Sequence, residues 1–317
     1  MSIDLTPLKD ARRVLFSVQL KPVQGTRFQP TGFPDLGAAV YQAGETTYLL
    51  VESPQSMANR LEAVCWDDAV NELRKPLGGL SYVRVERGGQ YLTSSITEAH
   101  RLNSVYIEKA NGGEFHRSFA SEMEYDERAP INRNKFLAAL LKYDVNSLIH
   151  GVFLESISGR LRVPRALSAF IEAEGVQVAA SGGVKKDHVQ PGTTRDQNRA
   201  SKEGYGNIIY AREEYTAERI IAYFNLDLGQ IHSYGLGESV ERLLVLLSLY
   251  KIRAFLDGDL RLRTACDLTV SNRGTPIIAD PPPEFELPTL PALEDEVRRS
   301  ITACRERMAG VTRIAIG

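Results

Sequence analysis

Cysteine is scarce in this chain. Cys65, Cys266 and Cys304 stand far apart in 317 residues. They offer neither a metal-ligand spacing nor a disulfide framework, which fits a reducing cytoplasm. An excess of one charge sign is lacking too. The 38 Lys and Arg against 40 Asp and Glu leave a net charge of −2. That excludes a uniformly basic surface, although affinity for phosphate depends on local charge. No apolar run reaches the roughly 18 residues of a membrane helix. The longest candidate, 243–249, is flanked by Arg242 and Lys251. The N-terminal MSIDLTPLKDARR has no apolar centre of a signal peptide. Catalytic signatures are missing as well. There is no Gly-rich loop ending in Lys-Ser/Thr, no His-Glu-x-x-His and no paired-Cys motif. Gly235-Leu236-Gly237 reads as the start of a helix. Asp257-Gly258-Asp259 reads as a helix C-cap turn rather than a metal site. Asp35, beside Pro34, is accounted for as a turn residue. The chain is therefore expected to be no enzyme, with no catalytic residue, no metal and no cofactor.

What the sequence does contain is a pattern of strands and helices carrying scattered cations, amides and rings. Val14, Phe16, Val18 and Leu20 alternate, which predicts a strand over 14–20. The Gly- and Pro-rich loop after it offers Lys21, Gln24, Arg27, Phe28 and Gln29. Cations suit phosphate, rings suit bases and amides suit either; an ordinary surface loop with buried rings has the same composition. Ser53-Pro54 predicts the capped start of a helix over 53–68, with Met57, Leu61, Val64 and Cys65 as its apolar stripe. Ser53, Gln55, Ser56, Asn59 and Arg60 lie near its N-terminal end, a place that suits a phosphate.

Further along, 70–130 is polar and broken by paired glycines. It carries His100, Arg101 and Asn103 as candidate contacts. A helix is expected near 132–141, a strand over 147–154 with His150 as a core histidine, and a strand over 160–163. Arg160, Arg162 and Arg165 make this last segment basic; a solvated sheet face would look the same. Pro164 is expected to open a helix ending at Gly175, and 176–180 to form a strand. Residues 181–202 hold five cations, Lys185, Lys186, Arg195, Arg199 and Lys202, against Asp187 and Asp196, and His188 lies among them. This segment has almost no apolar anchors and reads as a basic clamp or as a disordered loop. A strand at 220–228, the long helix 238–256, a strand near 266–270 and a final helix over 292–309 complete the pattern. Stripped of its long insertions, the order is strand–helix–strand twice, the split ferredoxin-like arrangement shared by RNA-recognition folds. That pattern says little about function by itself.

Several blocks are unusual in wording: LKPVQGTRFQPTGFPDLGAAVYQA, ESPQSMANRLEAVCWD, SSITEAHRLNS, GRLRVPRALSAFIEA, SGGVKKD, YFNLDLGQIHSYGLG and LYKIRAFLDGDLRLRTACDL. In this order, from about 12 to 270, they resemble the repeated backbone subunit, a RAMP-superfamily protein, of type I-G (formerly I-U) CRISPR Cascade complexes. The resemblance implies an α+β fold: an RRM-like palm over 1–273 with fingers inserted at 70–130 and a thumb loop at 181–212. A Pro-rich linker and C-terminal helix at 274–317 would follow. It also implies guide RNA (crRNA), a target DNA strand, further copies of the same chain, the large subunit and the RAMP subunit capping the guide end as partners, with no membrane. The 185–202 cations, with His188, would then touch the target strand. Two alternatives remain open on the residues alone. One is a RAMP-type endoribonuclease, which needs a His or Lys acid–base pair beside bound RNA. The other is a metabolic α+β enzyme with a phosphate pocket at 204–207.

Overall fold

The computed structural model describes residues 3–33, 35–186, 208–258 and 260–317. Its centre is a seven-stranded sheet. The principal elements begin with β1 (Arg13–Pro22), β2 (Val40–Ala43), β3 (Thr46–Glu52) and α1 (Pro54–Ala63). After these come β4 (Tyr82–Arg87), β5 (Gln90–Ser94), α2 (Glu114–Glu122), α3 (Arg133–Tyr143) and α4 (Val145–His150). The chain continues through β6 (Val152–Phe153), β7 (Arg162–Val163), β8 (Leu167–Glu174), β9 (Gln177–Lys185), β10 (Ile208–Thr216) and β11 (Arg219–Asp227). It closes with α5 (Glu238–Asp257), β12 (Leu260–Arg263), β13 (Cys266–Val270), α6 (Leu290–Ala303) and β14 (Val311–Ile316).

The sheet order is β12-β13-β1-β11-β8-β3-β2, with every pair antiparallel. Within it, β1, β8, β11 and β13 lie in the order fourth, first, third, second. This is the ferredoxin-like arrangement, with α1 between β1 and β8 and α5 between β11 and β13. The fold is thus the expected α+β class. The β2–β3 hairpin widens one edge, and the β9–β10 ribbon prolongs the β8–β11 hairpin.

Alternation places the core. Val14, Phe16, Val18 and Leu20 of β1 face inward, as do Leu167, Ala169, Ile171 and Ala173 of β8 and Ile220, Ala222, Phe224 and Leu226 of β11. Each large apolar side chain buried this way contributes about 1.5–3 kcal/mol. Ser53 caps α1 by accepting from the Ser56 N–H at 3.2 Å, Pro54 opens the helix, and Met57 and Leu61 pack inward against β8. Helix α5 is apolar almost all round because it is sandwiched: the sheet and α1 lie on one side and α6 on another.

Three expectations fail here. The stretch 164–175 holds the strand β8, Leu167–Glu174, and not a helix. Leu167 and Ile171 have helical spacing and Ala169 and Ala173 are helix formers, but the central position in the sheet decides. Residues 147–154 split into α4 and the short β6. Every residue of α4 is buried, so hydropathy has no period to read there. Gly151 ends α4 at φ +80°, and a Cβ there would sit 2.6 Å from the Val163 carbonyl oxygen, so only glycine fits. The tail holds more than a helix. Strand β14 pairs in parallel with β4 and joins it to β5 in a separate three-stranded sheet. Among the described residues no helix is long and apolar enough to cross a membrane.

Candidate nucleic-acid interface

Four segments meet beside α1 and enclose an open cleft of about 760 Å³. The first turn of α1 supplies Gln55. A tight turn supplies His100, Arg101 and Asn103, with Arg101 itself at φ +51°. The end of α4 gives His150 and Gly151, and the β6–β7 hairpin with the residues after it gives Phe153, Arg162 and Arg165. Gln55, His100, Arg101, Asn103, Arg162 and Arg165, spread over three stretches of sequence, therefore share one cavity. Glu155, exposed on the hairpin loop, is the carboxylate in its lining.

These cations are not equivalent. Arg101 is buried and engaged at each of its three nitrogens. Its Nε and Nη2 donate to the two Glu62 carboxylate oxygens at 2.6 and 2.7 Å, and its Nη1 donates to the Gly151 carbonyl at 3.1 Å. Its charge is therefore matched within the fold by Glu62. Burial still pushes the Glu62 carboxyl upward, against the pull of Arg101. Arg162 is exposed. Arg165 is half-buried and donates to the neutral Gln55 Oε1. Burial first, and the Arg101 charge second, depress the Arg165 guanidinium. A cation short of counter-charge is one that a bound anion would relieve.

Behind the cleft lies a buried polar chain that the sequence reading did not foresee. Lys251 of α5, fully buried, donates to Asn146 Oδ1 and lies 2.8 Å from His150 Nε2. The sequence signal for it is a lysine directly after the apolar run Leu243–Tyr250, broken only by Ser248, since buried lysines need partners. Asp144 accepts from Ser147 Oγ at 2.6 Å, and burial raises its carboxyl from an ordinary 3.8 to about 7. The protonated form is thus favoured by folding. That contribution is complete below 3.8 and is lost as pH rises through about 7. Asp144→Asn, neutral throughout, should flatten this part of the profile. Urea midpoints at about pH 5 and about pH 8 should differ less in the variant than in the wild type. Equal differences in both proteins would exclude Asp144 as their source.

The other predicted contacts lie elsewhere. Lys21 is exposed near the end of β1, where it pairs with Thr269, and Gln24 and Arg27 are exposed on the loop after it; Arg27 sits 3.5 Å from Glu214 of β10. Phe28 is not a stacking platform. Its ring is 1 % exposed, and its backbone exchanges two 2.9 Å hydrogen bonds with Tyr215. The Gln29 backbone is held at both ends: its N–H donates to the Ala265 carbonyl at 2.8 Å, and its carbonyl accepts from the Arg263 guanidinium at 3.2 Å. Arg60 is likewise committed: it donates to Glu52 at 2.9 Å and to the Leu262 carbonyl at 2.5 Å. Buried Glu52 also receives Ser56 and Arg263. Ser53 is used as the helix cap, whereas Asn59 and Arg160 are exposed. Lys185 and Lys186 are exposed at the far end of β9. His188, Arg195, Arg199, Lys202, the pocket expected at 204–207 and Asp259 lie outside the described residues. Among the described residues no group of His, Cys, Asp or Glu is arranged to hold a metal ion.

Comparison with known proteins adds a family. The model of "CRISPR-associated protein GSU0053" matches residues 14–178, just over half of the chain. No curated protein matches. Among solved structures, a chain of a "CRISPR RNA-guided surveillance complex, pre-nicking" aligns with a TM-score of 0.39 and 13% identity, over 81% of this chain and 76% of that one. A chain of a "CRISPR RNA-guided surveillance complex" aligns with a TM-score of 0.33 and 13% identity, over 93% and 88%.

Proposed function

This chain belongs to the family of the CRISPR-associated protein GSU0053, and from that membership we propose that it is the non-catalytic guide-RNA-binding backbone subunit of a Cascade-type interference complex of type I-G. Copies polymerise head to tail along the guide and present it for pairing with a target DNA strand. The large subunit and the RAMP subunit capping the guide end are its other partners. The observation that carries this reading is the convergence of Gln55, His100, Asn103, Arg162 and Arg165 in one cleft. Cations set beside amides and an imidazole, with no base-reading helix in a groove, suit a single strand held by its backbone without strong sequence preference.

Two measurements test it. Log affinity for single-stranded RNA should fall with log salt by about 0.7 for each phosphate neutralised. A flat salt response contradicts the reading. Head-to-tail contacts that do not close generate a filament whose length the RNA sets. Light scattering with guides of increasing length should therefore show mass rising in steps, and one mass for all lengths excludes polymerisation on the guide. The guide should emerge intact from both experiments. His150 has its Nε2 held by Lys251, and burial keeps its ring from taking up a proton, so it cannot serve with His100 as an acid–base pair. RNA cleavage that vanishes in His100→Ala would favour the endoribonuclease instead.

A further inference from the structure

The cleft wall contains two polar atoms that the protein leaves without a partner: His150 Nδ1 and Asn103 Oδ1. Their chemistry is opposite. Burial lowers the pKa of Lys251; as an ammonium it has only donors, and its Nζ at 2.8 Å then makes His150 Nε2 an acceptor and puts the ring proton on Nδ1. The ring is neutral. Burial, then the charges of Lys251, Arg101 and Arg165, hold its pKa well below the usual value. His150 is 1 % exposed, so its Nδ1–H is a desolvated donor for which the fold supplies no acceptor. Arg165 lines the same cleft and is bonded to a neutral amide rather than a carboxylate. Glu62, the nearby buried carboxylate, is already taken by both forks of Arg101.

A neutral donor beside an under-compensated guanidinium fits an anionic phosphate oxygen. Asn103 Oδ1 needs a donor, which a phosphodiester lacks. A ribose 2′-hydroxyl has one, and a deoxyribose does not. We infer that the cleft seats one ribonucleotide, with a phosphate oxygen on His150 Nδ1–H and Arg165 and the 2′-hydroxyl on Asn103 Oδ1. Lys251 is then a positioning residue that fixes the imidazole tautomer. This assignment rests on the guide-binding reading and adds to it a device that tells RNA from DNA at a named residue.

Binding of matched RNA and DNA oligonucleotides of one sequence to the full chain tests it. The wild type should prefer RNA by about tenfold, the scale of one hydrogen bond whose loss strands a buried partner. Asn103→Leu should bring RNA affinity down to the DNA level and leave DNA affinity unchanged. His150→Gln keeps an acceptor for Lys251 and loses the Nδ1 donor. It should weaken RNA and DNA alike, about tenfold, with an unchanged salt slope because the lost donor carries no charge. Arg165→Gln should lower the slope by about 0.7. Urea midpoints verify that each variant folds. Nitrogen-detected histidine resonances of the wild type bypass mutation altogether: the His150 Nδ1–H signal should move on adding RNA. A full RNA preference in folded Asn103→Leu, or a His150 signal indifferent to RNA, overturns the seat. A shift with inorganic phosphate but none with RNA overturns it as well, leaving a small-anion site. If the wild type binds RNA with the expected salt slope while these variants change nothing, only the seat fails. If it binds no RNA at all, the guide-binding reading fails with it.

Discussion

Arg162→Ala combined with Arg165→Ala should reduce guide-RNA affinity by about two orders of magnitude. Each charge-assisted hydrogen bond to a phosphate contributes about 1.5–3 kcal/mol, and about 1.4 kcal/mol is a factor of ten. Removing both guanidinium groups from one cleft therefore gives at least a hundredfold change. The salt slope should fall as well, by about 1.4 for two phosphates released. Folding should survive, because neither side chain is bonded to a buried carboxylate; Arg165 acts on Glu62 only through its charge, after Arg101 and Lys251. Arg162 is exposed, and Arg165 donates to Gln55. Filter binding across a salt series reads both quantities. An affinity loss with no change in slope would mean that the arginines shape the cleft without touching phosphate.

The second large effect concerns stability. Arg101→Ala strands the Glu62 carboxylate, 1 % exposed, without the guanidinium that holds both of its oxygens. Breaking a buried pair from one side costs about 3–5 kcal/mol, a large part of the roughly 5–15 kcal/mol that stabilises a typical domain. The urea midpoint should drop accordingly. Arg101→Met with Glu62→Leu should recover much of the loss, since an apolar pair leaves no charge unpaired. RNA affinity lost at an unchanged midpoint would instead make Arg101 a ligand contact.

Much of the sheet is legible from sequence. The alternation of 14–20 and 220–228 survives in β1 and β11 because one face of each is buried and the other is not. Ser53-Pro54 marks the start of α1 through chemistry local to two residues. The misread elements are those in which tertiary position overrides local signal. Residues Leu167–Glu174 carry a spacing compatible with either period and become a strand between β11 and β3. The six residues of α4 are all buried. Strand β3, Thr46–Glu52, escapes the pattern reading although its Thr, Tyr and Val content and the turn at Gly44 suit a strand. Strand β14 is completed only by β4, far away in sequence.

The candidate site divides in the same way. Residue types are readable; which carboxylate claims each cation is not. Arg60 and Arg101 look alike in sequence to Arg162 and Arg165. Only the fold brings Glu52 to the first and Glu62 to the second. The gathering of Gln55, His100 and Arg162 depends on the return of the β6–β7 hairpin to α1, a long-range approach that no local pattern encodes. The orphaned donor on His150 depends on Lys251, contributed by a different helix.

The proposed function is that this chain coats a CRISPR guide. Its most direct test is to express the chain with a CRISPR repeat–spacer array, purify it under native conditions, and sequence the nucleic acid that comes with it. RNA of repeat–spacer sequence should be recovered, bound in particles whose mass increases in steps with spacer length. Recovery of no RNA, or of bulk cellular RNA in proportion to its abundance, would contradict it.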